Sequence, residues 1–317
     1  MLALTYEKHG DPREGAVKKV FDPRPGPGQV VVRVVAAALN PADWKIVEGK
    51  LPFLVFPKKP FVPGCEAAGV VEALDARVSG LREGDEVVFS TGLGGALAEK
   101  VAVPALQVER KPTALSFEEA AAIPAAGMSA LQSLRDLGGL RAGHRLVVNG
   151  AGGGIGVFAV QIGKILGAHV TAVASAGKHE LLDGLGADAL VDYRKTDFTK
   201  AGETWDVVFD VVPNRSFAAC SRILSPDGVY VTTLPGPGPI FASVAAALRA
   251  PFGFRKRCRA LMLKPRPEDL GWLLERAAAG TLRAVVGRTV PLDQAACALS
   301  DLAAGHGTGK TVVKIAA

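Results

Sequence analysis

Between Leu146 and Gly167 a short apolar strand pattern runs into a glycine-dense turn and then a helical pattern, and a second apolar run, His169 to Ala174, follows at once. The glycines of Asn149-Gly-Ala-Gly-Gly-Gly-Ile-Gly156 permit a tight turn and let backbone N–H groups come close to a pyrophosphate. The helix leaving the turn points its positive end at that anion. The spacing Gly150-x-x-Gly153-x-x-Gly156 departs from the strict G-x-G-x-x-G fingerprint. The order strand, turn, helix, strand is nevertheless that of a dinucleotide-binding βαβ unit. Gly150, Gly152, Gly153, Gly154 and Ile155 are the expected phosphate-binding residues.

The end of the second strand indicates which dinucleotide. A carboxylate about 20 residues beyond the glycines would hold a ribose 2′-hydroxyl. The corresponding stretch, Ala174-Ser-Ala-Gly-Lys178, has none, and Glu180 falls inside the next helical pattern. The hydroxyl of Ser175 and the cation of Lys178 suit a 2′-phosphate, so the expected coenzyme is NADPH rather than NADH.

At 317 residues the chain has room for two domains. Its 49% hydrophobic and 21% charged residues are ordinary for a folded protein with a full core. No apolar run reaches the roughly 18 residues of a membrane span. The amino terminus lacks the pattern of a secretion signal, so a soluble, cytoplasmic protein is expected. Cys65, Cys220, Cys258 and Cys297 are too scattered for a disulfide framework or a clustered zinc site. The net charge of +6 is concentrated in Arg255-Lys-Arg-Cys-Arg259, which reads as a solvated helix face. No nucleic-acid partner is expected.

The first hundred residues read as β-rich, with strands at Val30–Ala36, Gly69–Leu74 and Gly84–Ser90 between Pro and Gly clusters. Ser116-Phe-Glu-Glu119 is a capping box that opens a helix through Ala122. Pro124 then breaks the pattern before a helical stretch from Ser129 to Leu137. Strands at Arg145–Asn149, His169–Ala174, Ala189–Tyr193, Asp206–Val212 and Gly228–Leu234 alternate with helical patterns, which predicts a parallel, doubly wound sheet. Helices between Phe241 and Leu263 are expected to complete it. A helix at Pro267–Ala279, a β run at Ala284–Val290, a helix at Leu292–Ala304 and a strand at Thr311–Ile315 close the chain.

Seven segments spread over this pattern carry a family resemblance: Asn40-Pro-Ala-Asp-Trp-Lys45, Pro63-Gly-Cys-Glu-Ala-Ala-Gly69, Gly84-Asp-Glu-Val, Ala122-Ile-Pro-Ala-Ala-Gly-Met-Ser-Ala130, the glycine turn, Gly186-Ala-Asp-Ala-Leu-Val-Asp-Tyr193 and His306-Gly-Thr-Gly-Lys310. Together they resemble the medium-chain dehydrogenase/reductase superfamily, in its zinc-free quinone oxidoreductase branch. The first and last are most similar to the chloroplast-envelope quinone oxidoreductase and alkenal reductase types. The resemblance implies an α/β architecture in which a GroES-like β-rich catalytic domain (residues 1–122 and 263–317) surrounds an inserted Rossmann domain (123–262), with the active site in the cleft. It also implies a homodimer formed through the nucleotide domains. Zinc-dependent members take a metal on Cys, His and Cys; here Asn40, Cys65 and Ala125-Ala126 stand at those places, so a metal-free site is expected.

Such a site needs NADPH as hydride source and a small-molecule enone or quinone as acceptor, with a donor or cation beside the acceptor oxygen. Asn40, Trp44 and Lys45 lie where the family places cleft residues: Asn40 as amide donor, Lys45 as stabilising cation, Trp44 as apolar wall. The resemblance places Ser129 beside the nicotinamide, Tyr193 beside the adenosine phosphate, and Lys310 as a coenzyme contact. Val212, Thr233 and Leu234 end parallel strands, beyond which ligands sit. Pro213-Asn214 stands where the family often has Gly. A second reading is an NADPH-binding scaffold with little turnover, touching RNA or a membrane surface.

Overall fold

The computed structural model describes residues 1–50, 60–200, 202–233, 238–239, 241–244, 255–305 and 307–315. The chain forms two units, one of Met1–Ala125 with Pro265–Ala317, the other of Ala126–Lys264. The switches fall at 125/126 and 264/265, against the 122/123 and 262/263 expected from the sequence.

The first unit opens with an antiparallel ribbon, β1 (Leu2–Thr5) and β2 (Ala16–Lys19). Its main sheet is built on β3 (Gln29–Ala38), a Val- and Ala-rich run whose side chains are buried on both faces except Gln29, Arg33 and Val35. A short helix follows, α1 (Pro41–Val47), then β4 (Glu66–Leu74), β5 (Glu86–Ser90), β6 (Lys100–Pro104) and β7 (Val108–Arg110). Ser116 and Glu119 exchange capping bonds at 2.9 and 3.2 Å to start α2 (Phe117–Ala121).

The second unit begins within α3 (Pro124–Leu131), which runs on into a π-helical segment, Gln132–Leu137. Pro124 therefore does not break the helix. It opens it, because the first turn needs no proline N–H. Gln132 holds the far end of the unit through its amide, at 2.7 and 3.1 Å from the backbone O and N of Lys264. The βαβ unit follows as β8 (Arg145–Asn149), α4 (Gly154–Ile165) and β9 (His169–Ala174). Next come α5 (His179–Gly184), β10 (Ala189–Asp192), β11 (Trp205–Asp210), α6 (Phe217–Ser221), β12 (Leu224–Thr232) and β13 (Arg257–Ala260). All six strands are parallel, in the order β10-β9-β8-β11-β12-β13. Counted from β8 this is 3-2-1-4-5-6, the order of a dinucleotide-binding fold, with its reversal between β8 and β11.

The basic run is not a helix face. Residues 257–260 form the last strand of the sheet, with Cys258 buried and Arg257 and Arg259 exposed. That alternation is a period of two, masked in the sequence by the density of charge. Residues 245–254, where further helices were expected, lie outside the described residues.

The return segment adds α7 (Pro267–Ala278), β14 (Val286–Pro291), α8 (Ala295–Ala303) and β15 (Lys310–Lys314) to the first unit, whose sheet runs β14-β15-β3-β4-β5-β7 with β6 also on β3. β15 lies antiparallel to β3, pairing Val312 with Ala38, and β4 pairs Ala67 with Ala37. Those two registers bring Lys310, Asn40 and Glu66 to one end of the sheet. Val32, Phe89, Leu299 and Val313 lie in the core beneath it.

Candidate functional site

In the second unit, the carboxyl ends of neighbouring strands gather most of the expected coenzyme residues. Asn149 ends β8, and Gly150 turns the chain with φ 87°, a conformation that favours glycine. A Cβ on Gly156 would lie 2.2 Å from Gly150 O, so only glycine lets α4 start so close to the strand. Gly153 caps α4 without a side chain, leaving the first-turn amides of a twelve-residue helix uncapped by any hydroxyl or carboxylate. Lys178 lays its stem across Gly152, with Nζ 3.4 Å from Gly152 O. Burial holds its ammonium below the usual lysine range. Ser175 and Tyr193 follow the paired ends of β9 and β10. Val212 packs over Gly150, and Thr233 Oγ1 donates to Val211 O at 3.0 Å. Ser129 is buried in α3. Leu234 lies outside the described residues, as does His306.

In the first unit a buried polar network surrounds Asn40. Its Nδ2 donates to Glu66 Oε1 at 2.8 Å and to Ala38 O at 3.2 Å, while its Oδ1 accepts from Lys310 Nζ at 2.7 Å. Both amide protons are committed inside the chain, so the expected donation to a substrate carbonyl has no proton to use. Lys310 is likewise committed. Its ammonium donates to Glu66 Oε1, Asn40 Oδ1 and Leu39 O at 2.7, 2.7 and 2.9 Å, which spends all three N–H groups and leaves none for a coenzyme. Glu66 Oε2 accepts from Ala125 N at 2.6 Å.

Asp43 completes the network from α1. It accepts from Asn40 N at 2.7 Å, Gly64 N at 3.1 Å and the Cys65 thiol at 3.0 Å. Burial pushes its carboxyl up to about 6, against the pull of the Cys65 thiol, the Asn40 N–H and Lys310. Burial and the Asp43 charge raise the Cys65 thiol well above its usual range. Sequence reasoning missed Asp43 and Glu66 as partners. The available signal was an acidic residue, Glu66, at the head of the apolar run of residues 67–71.

Lys45 and Trp44 stand apart from that network on the same helix. The Lys45 ammonium is half-buried, held below the usual range by desolvation, and sits 5.5 Å from the Trp44 ring centroid. His9 Nδ1 donates to Ile46 O at 3.0 Å and fixes the carboxyl end of α1.

The sequence of the first unit matches the alcohol dehydrogenase GroES-like domain family over residues 26–113, and residues 185–313 match the zinc-binding dehydrogenase family. A chloroplast envelope quinone oxidoreductase homologue of Arabidopsis thaliana is 33% identical over 329 aligned positions, covering 99% of this chain and 98% of the relative. The chain belongs to the medium-chain dehydrogenase/reductase superfamily. An NADPH-dependent alkenal/one oxidoreductase of the same plant is 34% identical, covering 90% of this chain and 72% of its own. The structure of a quinone oxidoreductase from Coxiella burnetii superposes with TM-score 0.89 at 27% identity, covering 100% of this chain and 99% of that one. Within the superfamily the chain is an oxidoreductase of the quinone and alkenal reductase type, with a nicotinamide dinucleotide fold.

The glycine turn and uncapped helix fit such a dinucleotide. The residues at the superfamily's zinc position do not fit a metal. An amide engaged on both atoms and a protonated thiol engaged with Asp43 supply no ligand set. Among the described residues no group of three or more His, Cys, Asp or Glu side chains could hold an ion. Nor is any described helix long and apolar enough to cross a membrane.

Proposed function

We propose that this chain is an NADPH-dependent, metal-independent reductase of α,β-unsaturated carbonyls, with quinones as alternative acceptors. The observation that carries the reading is Lys178 lying across Gly152, with Ser175 at the end of β9 and no carboxylate there. A cation on the phosphate loop favours a 2′-phosphate, which a carboxylate would repel. The names of the two plant relatives support the two acceptor classes.

Bound NADPH supplies the hydride. The chain must hold the acceptor and stabilise negative charge developing on its oxygen. Lys45 does the second, since its half-desolvated ammonium has no carboxylate partner among the described residues and acts more strongly for being out of bulk water. Trp44 offers an apolar wall beside it. Asn40 is a positioning residue, tying Lys310 and Glu66 to the start of the helix that carries Lys45. Solvent protonates the enolate. The chain forms a homodimer through its nucleotide-binding unit, at the outer edge of β13, the end strand of that sheet among the described residues.

NADPH oxidation against a panel of enones and quinones tests the reading. Acceptor-dependent turnover is expected, and Lys45→Met should lower kcat about 10- to 100-fold while leaving coenzyme affinity unchanged. Lys178→Ala should reduce the preference for NADPH over NADH by about tenfold or more. NADPH binding without acceptor-dependent oxidation would leave a coenzyme-binding scaffold in place of an enzyme.

A further inference from the structure

The order of the nucleotide sheet reverses between β8 and β11, and one polar cluster joins the ends of those two strands. Asn149, the last residue of β8, donates from Nδ2 to Asp210 Oδ1 at 2.7 Å and to Asn214 Oδ1 at 2.9 Å. Asp210, the last residue of β11, is fully buried and also accepts from the Tyr230 hydroxyl at 2.8 Å and from the backbone N–H of Arg215. Val211 N donates to Asn149 O at 3.0 Å. The segment from Val211 to Arg215 is thus tied at its start, through Asn214 near its middle, and at its end. Val212 is held against Gly150, close enough that a Cβ there would sit 2.6 Å from Val212 Cγ2.

Nothing in core packing calls for the Asn214 tie, since Asn214 is exposed. A buried carboxylate with fixed partners costs desolvation and returns a defined geometry. In a doubly wound sheet the two mononucleotide halves of the ligand divide between the two halves of the fold, and β11 to β13 belong to the second. We infer that Asp210, through Asn149 and Asn214, is a positioning clamp that fixes Val211–Arg215 as the seat of the nicotinamide half of the coenzyme. The inference rests on the dinucleotide reading above.

Calorimetric titration with NADPH and with 2′,5′-ADP, which carries only the phosphorylated adenosine half, separates the two halves. Asn214→Ala is expected to weaken NADPH about tenfold and to leave 2′,5′-ADP within about twofold. Asn214→Asp keeps an acceptor for Asn149 and should restore NADPH affinity. Unchanged NADPH affinity in Asn214→Ala overturns the clamp. So does an equal loss of both ligands, which marks a general structural defect. A wild-type chain that binds neither ligand overturns the dinucleotide reading itself, and the clamp with it.

Discussion

Asp43 shows what burial does to a single carboxyl. It takes up its proton near pH 6 in the folded chain, against 3.8 for the free group. Its contribution therefore favours folding fully below about pH 4 and is lost as pH rises through 6. Asp43→Asn carries no such proton, so wild-type stability relative to that variant should fall by about 2 kcal/mol between pH 4 and pH 8 in urea unfolding. A pH-independent difference would show that the charge is not buried as described. Lys310→Met should cost about 3–5 kcal/mol, because it strands the Glu66 carboxylate away from water. Loss of coenzyme affinity at undiminished stability would instead return Lys310 to the coenzyme. Neither outcome was legible in the sequence, where Asn40 and Lys310 stood as separate ligand contacts. Their partnership depends on a strand pairing that spans nearly the whole chain. A side chain's donors can be counted from its type, but which of them remain free cannot.

At the level of elements, the glycine turn was almost fully readable, because turn, helix start and strand impose their demands within a dozen residues. The geometry adds which glycine bears the closest approach. Gly156→Ala drives a Cβ into backbone oxygen at 2.2 Å, so it should weaken coenzyme binding at least tenfold and lower the melting temperature. Gly184→Ala, in α5 with open space around it, should be neutral or stabilising by up to about 1 kcal/mol. Equal behaviour of the two variants would refute the close-approach account. Two elements were misread for local reasons. Pro124 looks like a break unless it is placed in a first turn, and β13 hides its alternation under arginines.

For the molecule as a whole, the β-rich beginning, α/β middle and mixed return announced the architecture, since periodicity changes where the chain changes partners. Assembly was not readable. The outer edge of β13 carries Arg257 and Arg259, and exposed charge on an edge strand discourages indiscriminate pairing. A homodimer joined there would bring like charges together, so its population in sedimentation should rise as added salt screens them. A monomer at every salt concentration would remove that interface.

The state of the thiols has a consequence for a catalyst of this kind. Conjugated enones are electrophiles that alkylate thiolates, and only the ionised form of cysteine reacts readily. Cys65, Cys220 and Cys258 are buried and held protonated by their surroundings, leaving Cys297 as the exposed one. The interior is thereby armoured against covalent poisoning by the very molecules it would consume.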